Sequence, residues 1–421
     1  MSLFVTDSSG YQRVVVSGTP FERGRMHGLK AADKIRTNIQ RYSTSPSLPA
    51  PDVCSHYIQD LYLPAIETHF PEGLEEMKGM ADGAEVPLAD IVLLNARYDL
   101  SRVQTNSVTQ SFVGECTSMA HIHESLADDE ETPSVFIAQN WDMSSWLHDL
   151  DTIIILEIQN SEGDNLTTPK TIIALTEAGQ LARSGMSSAG VALCANSLWS
   201  NEDSAHPTAP GGSQAFLPFT LSRRMFLECG NFAAGLKTLC SFPRHVSGNI
   251  IVGSSSGIAM DLEITPSTYF PLHPEGLLTG STSRSSLLTH ANHFVSPAMQ
   301  GRPDIHDTYP GGSSLFRDRQ LYSLLEKRSL TKAKSYGANI GVAEMKKAFS
   351  NHAGHPRSLC EHAEKGEQKY GQTTGDTMTV ASVIYDLKNL EMHVCKGNPC
   401  IGYWKVYSIG GRVETALLAQ S

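Results

Sequence analysis

The sequence lacks a surplus of basic residues and any long apolar run, and each absence excludes a class of protein. Its 421 residues carry 33 Lys and Arg against 44 Asp and Glu, a formal net charge of -11. An acidic chain without a basic run argues against a nucleic-acid partner. No stretch approaches the roughly 20 apolar residues of a membrane-spanning helix, so no membrane partner is expected.

Recognisable targeting signals are also missing. The first residues, MSLFVTDSSGYQRVVVSG, lack a charged segment followed by an apolar core, so no secretory signal peptide is expected. The final LLAQS is not a peroxisomal S-K-L ending. We therefore expect a cytoplasmic protein, with a peroxisomal location less favoured.

The eight cysteines are scattered along the chain without a pairing pattern. In a reducing compartment they are expected to be free thiols, many of them buried. Cys395 and Cys400 lie close together, but no second cysteine pair or histidine stands at zinc-finger spacing. His352 and His355 in SNHAGHP indicate a polar loop. We therefore predict no metal site and no cofactor.

Helical and strand patterns occur in blocks. The first hundred residues are typical of helices, with breaks at Pro71 and Pro87. After Cys116, short β-rich segments such as VFIAQNWD, TIIILEIQ and VALCANS are bounded by turn-forming residues. Helical patterns return in LPFTLSRRMFLECGNFAAGLKTLC and SSLFRDRQLYSLLEKRS, and a hairpin is predicted near Lys388. This mixture predicts an α+β fold with mainly antiparallel sheets, in one unit over residues 1–421.

Cys116 lies in SFVGECTSMAHIH, and its chemistry would depend on a base. A cysteine is a strong nucleophile only after its proton is removed. The segment GECTS shows none of the local signature of papain-like enzymes, in which histidine is the base. Alternatively, cleavage before the cysteine would make its own α-amine the base, with an unperturbed pKa of about 8.

Seven motifs occur in the order seen in the fungal isopenicillin N acyltransferase family. They are SGTPFERGRMHG, ADIVLLNARYDL, ECTS, AQNWDM, TEAGQLARSGMSSAGVALCANSL, DLEITPST and THANHF, in a match from about Ser17 to Asp386. The chain thus resembles the cysteine branch of the N-terminal-nucleophile (Ntn) hydrolases. The resemblance implies a four-layer αββα sandwich with two antiparallel sheets, and Cys116 at the end of a strand between them.

The resemblance also implies a precursor that cleaves itself before Cys116. The thiol would attack the carbonyl group of Glu115, and water would resolve the thioester. The products would be an α-chain of residues 1–115 and a β-chain of residues 116–421, paired as a heterodimer. The penicillin-making enzyme has glycine before its nucleophile, a residue that tolerates strained backbone better than glutamate does. Here Gly114 lies one residue earlier and would absorb the bend.

Further site residues are implied by the same resemblance. After cleavage Cys116 would be the nucleophile. Asp142 would orient groups around the new amine, and Asn292 would donate a hydrogen bond to the oxyanion. Thr117 and Ser118 follow the nucleophile and would hydrogen-bond near it.

Asp376 stands where the penicillin-making enzyme has an arginine, counting back from VIYD. Replacing a cation with an anion disfavours a carboxylate or phosphate ligand and favours an amine. Penicillin synthesis is therefore not expected.

Arg317 and Arg319 in SSLFRDRQ fit a helix entry that faces solvent, with substrate binding as the alternative.

The implied activity is transfer of an acyl group through a thioester on Cys116. The acceptor is an amine in an acyltransferase, or water in an amidohydrolase, and acyl-CoA is a candidate co-substrate. The expected partners are small molecules: an amide or acyl thioester, and an amine. The resemblance implies specialised metabolism. A third alternative is a binding protein that is never cleaved.

Overall fold

The computed structural model describes most of the chain as helices, strands and short connections. The described residues are 10–103, 115–125, 132–160, 168–203, 216–277, 283–309, 312–333, 340–363, 376–409 and 414–416. The helices are α1 (Pro20–Lys30), α2 (Ala32–Ser43), α3 (Pro51–His56), α4 (Leu63–His69), α5 (Pro71–Ala84), α6 (Leu88–Leu100), α7 (Trp146–Asp149), α8 (Phe219–Glu228), α9 (Phe232–Ser241), α10 (Pro297–Gln300), α11 (Ser314–Ala333) and α12 (Val342–Phe349), with a π-helical segment at Tyr57–Tyr62. The strands are β1 (Gln12–Ser17), β2 (Glu115–Ser125), β3 (Ser134–Ser144), β4 (Ile153–Gln159), β5 (Thr171–Glu177), β6 (Ser184–Ser187), β7 (Val191–Ser197), β8 (Gly248–Ser254), β9 (Ile258–Ile264), β10 (Tyr269–Leu272), β11 (Glu275–Leu277), β12 (Ser283–His290), β13 (Thr377–Asp386), β14 (Glu391–Lys396), β15 (Trp404–Ser408) and β16 (Glu414–Ala416).

These strands form two sheets. The first has the order β1-β4-β5-β6-β7-β8-β9-β10, and the second β11-β12-β2-β3-β13-β14-β15-β16. Neighbours pair antiparallel except β1 and β4, which run parallel. The predicted antiparallel character is confirmed. β1 lies in a segment assigned to helix from the sequence, where three consecutive valines favour a strand instead.

Three buried apolar clusters separate four layers. One packs α1–α6, α8 and α9 on the first sheet, the second lies between the sheets, and the third packs α11 and α12 on the second sheet. Side chains alternate across β4, so that Ile154 and Leu156 face the helices while Ile153 and Ile155 face the other sheet. The predicted αββα sandwich is confirmed.

The helix boundaries follow proline chemistry. Pro71 is the first residue of α5, and Pro87 caps the start of α6. Proline fits the first turn of a helix because the amide hydrogen that it lacks has no partner there. None of the helices in the described ranges combines the length and hydropathy that a transmembrane segment requires.

Helices α1 and α5 approach each other through glycines spaced four residues apart. A β-carbon at Gly24 would lie 1.9 Å from the carbonyl oxygen of Glu76, and one at Gly79 would lie 2.0 Å from that of Phe21. Each backbone therefore occupies the space that a side chain on the other helix would need. This contact sets the position of the outer helical layer on the first sheet.

We expect Gly24→Ala to lower the free energy of unfolding by about 1–3 kcal/mol or more, because the overlap is with backbone atoms that cannot rotate away. Denaturant unfolding of the purified chain would measure the loss. Gly276→Ala is the matched control, since a β-carbon there meets nothing within 4 Å. Equal stability of the two variants would contradict the close helix contact.

Candidate active site

Cys116 lies near the start of β2, in the layer between the sheets. The residue belongs to the apolar cluster of that layer and is 4% exposed. In the β2–β3 ladder Cys116 pairs with Trp141, and Glu115 pairs with Asp142. The register of two neighbouring strands therefore brings Cys116 and Asp142 close together.

Asp142 is a fully buried carboxylate with one hydrogen-bonded oxygen. Its Oδ1 accepts a hydrogen bond of 2.6 Å from the hydroxyl of Thr379 on β13. Among the described residues its Oδ2 has no hydrogen-bond partner and lies 3.9 Å from Nη1 of Arg317. Burial, followed by the charge of Glu361, raises the pKa of Asp142 well above its ordinary value. The free Oδ2 can accept a hydrogen bond from a group formed beside it.

Asn292 follows β12 and contacts the backbone of Cys116. Its Oδ1 accepts hydrogen bonds from the amide of Cys116 at 2.8 Å and from Nη2 of Arg317 at 3.0 Å. Its Nδ2 donates to the carbonyl oxygen of Ser197 at 3.1 Å. The structure thus places Asn292 beside Cys116 with the amide oxygen toward it, and its donation to an oxyanion stays a prediction.

The motifs DLEITPST and THANHF meet in space and hold the loop that carries Asn292. Glu263 on β9 accepts hydrogen bonds from Nε2 of His290 at 2.9 Å and from the amide of Val295 at 2.6 Å. Burial alone would lower the pKa of His290, but Asp261 and Glu263 raise it to about 9. The ring is therefore a cation near neutral pH, and its ion pair with Glu263 fixes the loop.

The structure corrects the prediction that Arg317 faces solvent. Arg317 is fully buried on α11, whereas the side chain of Arg319 is 74% exposed. Two positions along a helix differ by about 200° around its axis, so one can face the sheet and the other solvent. Nη1 of Arg317 donates to the carbonyl oxygen of Cys116 at 2.8 Å and to the hydroxyl of Thr117 at 2.6 Å. Arg317 is thus a direct hydrogen-bond partner of the strand that carries Cys116.

Three side chains hold the carboxylate of Glu115, the residue before the predicted cleavage. The hydroxyls of Tyr309 and Ser313 each donate to it at 2.6 Å, and Nη2 of Arg317 at 2.7 Å. Burial alone would raise the pKa of Glu115, but Arg317 and the two hydroxyls lower it, so the group is ionised. Glutamate therefore anchors this peptide through its side chain. Gly114, expected to absorb the bend, lies outside the described residues.

Thr117 and Ser118 are both buried and hydrogen-bonded to side chains around Cys116. Thr117 accepts from Arg317, and the hydroxyl of Ser118 donates to Oδ1 of Asn196 at 2.7 Å. Nδ2 of Asn196 also donates to the carbonyl oxygen of Cys116 at 3.4 Å. In this structure the two hydroxyls brace the strand, and their predicted contact with substrate stays a prediction.

Asp376 is exposed and lies immediately before β13. Its Oδ1 accepts from the hydroxyl of Ser145 at 2.5 Å, and its backbone oxygen accepts from the amide of Ser145 at 2.6 Å. Because Ser145 directly follows β3, these bonds join the end of β3 to the start of β13, the two strands that carry Asp142 and Thr379. A role for Asp376 toward an amine ligand stays a prediction.

The thiol of Cys116 is neutral in the continuous chain. Burial raises its pKa to about 11, against the opposing effect of Arg183 and Arg317. Arg183 lies 4.6 Å from the ring centroid of Trp141 and donates to Glu177 at 2.6 Å. A neutral buried thiol needs a nearby base before it can react. Cleavage before Cys116 would turn its backbone nitrogen into an amine, and this amine would be the closest base.

The arrangement suits covalent acyl chemistry, and sequence comparison agrees. Residues 127–400 match the family described as acyl-coenzyme A:6-aminopenicillanic acid acyl-transferase. The chain belongs to this family. The matched range contains Asp142, Asn292 and Arg317 and begins after Cys116. The predicted family is confirmed, and the chain is an enzyme of acyl transfer or amide hydrolysis.

Individual relatives extend this comparison. The acyl-coenzyme A:6-aminopenicillanic-acid-acyltransferase 40 kDa form of Emericella nidulans is 24% identical over 393 residues, covering 92% of each chain. A mutant of conjugated bile acid hydrolase from Clostridium perfringens has a TM-score of 0.43 at 9% identity, covering 72% of this chain and 97% of that one. Penicillin V acylase from Agrobacterium tumefaciens has a TM-score of 0.35 at 12% identity, covering 67% and 83%. The two solved structures are too distant to inform the chemistry.

The sequence analysis did not identify Arg183, Asn196 or Thr379 as residues of this acyltransferase-family site. Arg183 and Asn196 lie within TEAGQLARSGMSSAGVALCANSL, one of the motifs that carry the resemblance. The motif could therefore have indicated both residues. Thr379 had no local signal. Its contact with Asp142 depends on the pairing of β3 with β13, which are far apart in the chain.

We expect Thr379→Val to lower turnover of a thioester or amide substrate by roughly 5- to 150-fold, because Oδ1 of Asp142 would be left buried without its hydrogen-bond donor, at a cost of about 1–3 kcal/mol. Steady-state rates of the purified enzyme would measure the effect. Thr379→Ser keeps the hydroxyl and should retain most activity. If Thr379→Val leaves turnover unchanged, Asp142 and its bond to Thr379 have no role in catalysis.

Proposed function

We propose that the chain is a self-processing acyltransferase whose nucleophile is the N-terminal cysteine of a β-chain that begins at Cys116. The observation that carries this proposal is the environment of one residue. The backbone nitrogen of Cys116 donates to Asn292, and its thiol lies buried in the layer between the sheets. The prospective base and the nucleophile therefore share one buried, hydrogen-bonded site.

Self-cleavage would begin with attack of the Cys116 sulfur on the carbonyl carbon of Glu115. A C–S bond forms, the C–N bond breaks, and the thiol proton passes to the departing nitrogen, which becomes the α-amine. Water then hydrolyses the thioester, which frees the thiol and leaves Glu115 as the C-terminal carboxylate of residues 1–115. The bonds from Tyr309, Ser313 and Arg317 to the Glu115 side chain support this step, because they restrain the residue whose carbonyl is attacked.

In the mature enzyme the α-amine of Cys116 would act as the base. Its unperturbed pKa of about 8 allows it to take the thiol proton near neutral pH. Oδ1 of Asn292 would accept one amine hydrogen and so orient the nitrogen lone pair. Oδ2 of Asp142, which has no partner among the described residues, would accept from the protonated amine.

Turnover would then proceed through an acyl-enzyme. The Cys116 thiolate attacks the carbonyl carbon of the donor, and the leaving thiol or amine departs with the proton held by the α-amine. An amine acceptor next attacks the thioester and releases the amide product. One oxyanion donor is worth roughly 3 to 4 kcal/mol in such a step, and Asn292 is the residue that we expect to supply it.

The acceptor decides between acyl transfer and amide hydrolysis. An acyl thioester such as acyl-CoA is the donor that we favour, because the family and the relative from Emericella nidulans are both named for acyl-CoA-dependent transfer. Hydrolysis is the second candidate, since the same cysteine, amine and oxyanion site serve water equally well. How well the pocket excludes water would separate the two reactions.

We expect Cys116→Ala to abolish self-cleavage and Cys116→Ser to slow it, because the hydroxyl is a weaker nucleophile than the thiol. Intact-mass spectrometry should show chains of residues 1–115 and 116–421 for the wild type and a single chain for Cys116→Ala. Cys194→Ala is the control, since that buried thiol lies in the same apolar layer. Two chains from Cys116→Ala would refute the assignment, and an active uncleaved wild type would refute the processing step.

Release of CoA from an acyl-CoA should depend on added amine if the mature enzyme is an acyltransferase. We expect amide product to form in proportion to the CoA released, as measured by a thiol assay and mass spectrometry. CoA release without an amine, with free acid as the product, would instead identify the hydrolase. Cys116→Ala should be inactive in both assays.

A further inference from the structure

Four metal-ligand side chains converge at a place that the acyl chemistry does not use. His352 follows α12, Cys360 and His362 lie in the loop of residues 350–363, and Cys400 lies in the turn between β14 and β15. One ligand atom from each, a sulfur or a ring nitrogen, lies within 4.8 Å of all the others. The sequence spacing predicted no metal here, because the ligands come from separate segments.

Four of the six distances between the ligand atoms of this cluster are close to the edges of a zinc tetrahedron. With Zn–S of about 2.3 Å and Zn–N of about 2.0–2.1 Å, tetrahedral angles separate two sulfurs by about 3.8 Å, sulfur from nitrogen by about 3.5 Å and two nitrogens by about 3.4 Å. The Cys360 and Cys400 sulfurs are 3.6 Å apart, and Nε2 of His362 lies 3.5 Å from the first and 3.4 Å from the second. The Nε2 atoms of His352 and His362 are 3.1 Å apart.

The surroundings of the sulfurs suit thiolate ligands. Nδ2 of Asn398 lies 3.6 Å from the sulfur of Cys360 and also donates to the carbonyl oxygen of Glu361 at 2.6 Å. Amide donors of this kind stabilise a coordinated thiolate and fix its direction. Two cysteines and two histidines fill all four positions of a tetrahedral ion, which is the pattern of structural zinc sites.

We propose that His352, Cys360, His362 and Cys400 bind one zinc ion as a closed structural site. Binding releases the two thiol protons, so the two thiolates balance the charge of the ion and both histidines coordinate as neutral rings. With four protein ligands, no coordination position remains for water or substrate. The site therefore cross-links the loop of residues 350–363 to the turn that carries Cys400.

This cross-link would be connected to the site around Cys116 through Glu361, Thr379 and Asp142. Glu361 stands between two of the ligands, and its amide donates to the hydroxyl of Thr379 at 2.8 Å. The amide of Thr379 donates back to the carbonyl oxygen of Glu361 at 2.9 Å, and its hydroxyl donates to Asp142 at 2.6 Å. Zinc would thus hold the backbone segment that positions the buried carboxylate beside Cys116.

Elemental analysis of the full chain, purified without an affinity metal or chelator, tests the proposal directly. We expect about one zinc per chain, and cobalt in its place should give the visible absorption of a tetrahedral site with thiolate ligands. Cys360→Ser and Cys400→Ser should lose the metal, and His352→Ala, at an exposed ligand, should weaken binding. Cys240→Ser is the matched control because that thiol lies outside the cluster.

Two readouts keep this test independent of turnover. A strong chelator should lower the melting temperature of the wild type but not that of Cys400→Ser, because metal binding contributes to folding. The same measurements on Cys116→Ala should give full zinc content, whether or not the proposed acyl chemistry is correct. A wild type without zinc after expression and refolding with zinc present would overturn the proposal. A disulfide mapped to Cys360 and Cys400 by peptide mass spectrometry of the unreduced chain would also overturn it, since that bond would occupy the place of the metal.

Discussion

The buried guanidinium of Arg317 is the interaction on which the arrangement of the site depends. Removing such a cation from water costs several kcal/mol unless every donor finds an acceptor. Its Nε donates to the hydroxyl of Ser313. Its other acceptors are the carboxylate of Glu115, the carbonyl oxygen of Cys116, the hydroxyl of Thr117 and the amide oxygen of Asn292. They belong to β2 and to the loop after β12, so the cation is satisfied only when α11 packs correctly on both.

Strand pairing supplies the remaining order. Asp142 lies opposite Glu115 because β2 and β3 pair in one register, and Thr379 reaches Asp142 because β13 lies on the other side of β3. A shift of one residue in either ladder would turn these side chains to the opposite face of the sheet. The second sheet therefore acts as a rigid frame for the acyl chemistry, which agrees with the burial of Cys116 between two layers.

The glutamate before Cys116 shows how one departure from a family pattern can be accommodated. A glycine would give conformational freedom at the bond to be broken, whereas Glu115 is held by an ion pair and two hydroxyl groups. Restraint of the carbonyl can serve the same step as backbone strain, because both limit the conformations from which the sulfur attacks. The Cys and His cluster would add a second restraint, because Glu361 within it is bonded to Thr379, which donates to Asp142.

Much of this protein could be predicted without coordinates. The blocks of helix and strand were indicated by periodicity, whereas the family and the two-sheet sandwich were implied by the resemblance that seven motifs carry. The structure places Asp142 and Asn292 near Cys116, and the catalytic roles of these three residues stay predictions. Strand β1 was missed although its three valines favour a strand, because it is short and is followed directly by the helical pattern of α1.

Only the tertiary structure decides the role of a residue whose partners are distant in the chain. Arg317 and Arg319 carry the same charge in the same helix, and only packing against β2 shows that the first is buried. The ligands from His352 to Cys400 have no recognisable spacing, because a loop and a turn bring them together. Contacts of this kind depend on strand register and on the cost of burying charge, which are properties of the folded chain as a whole.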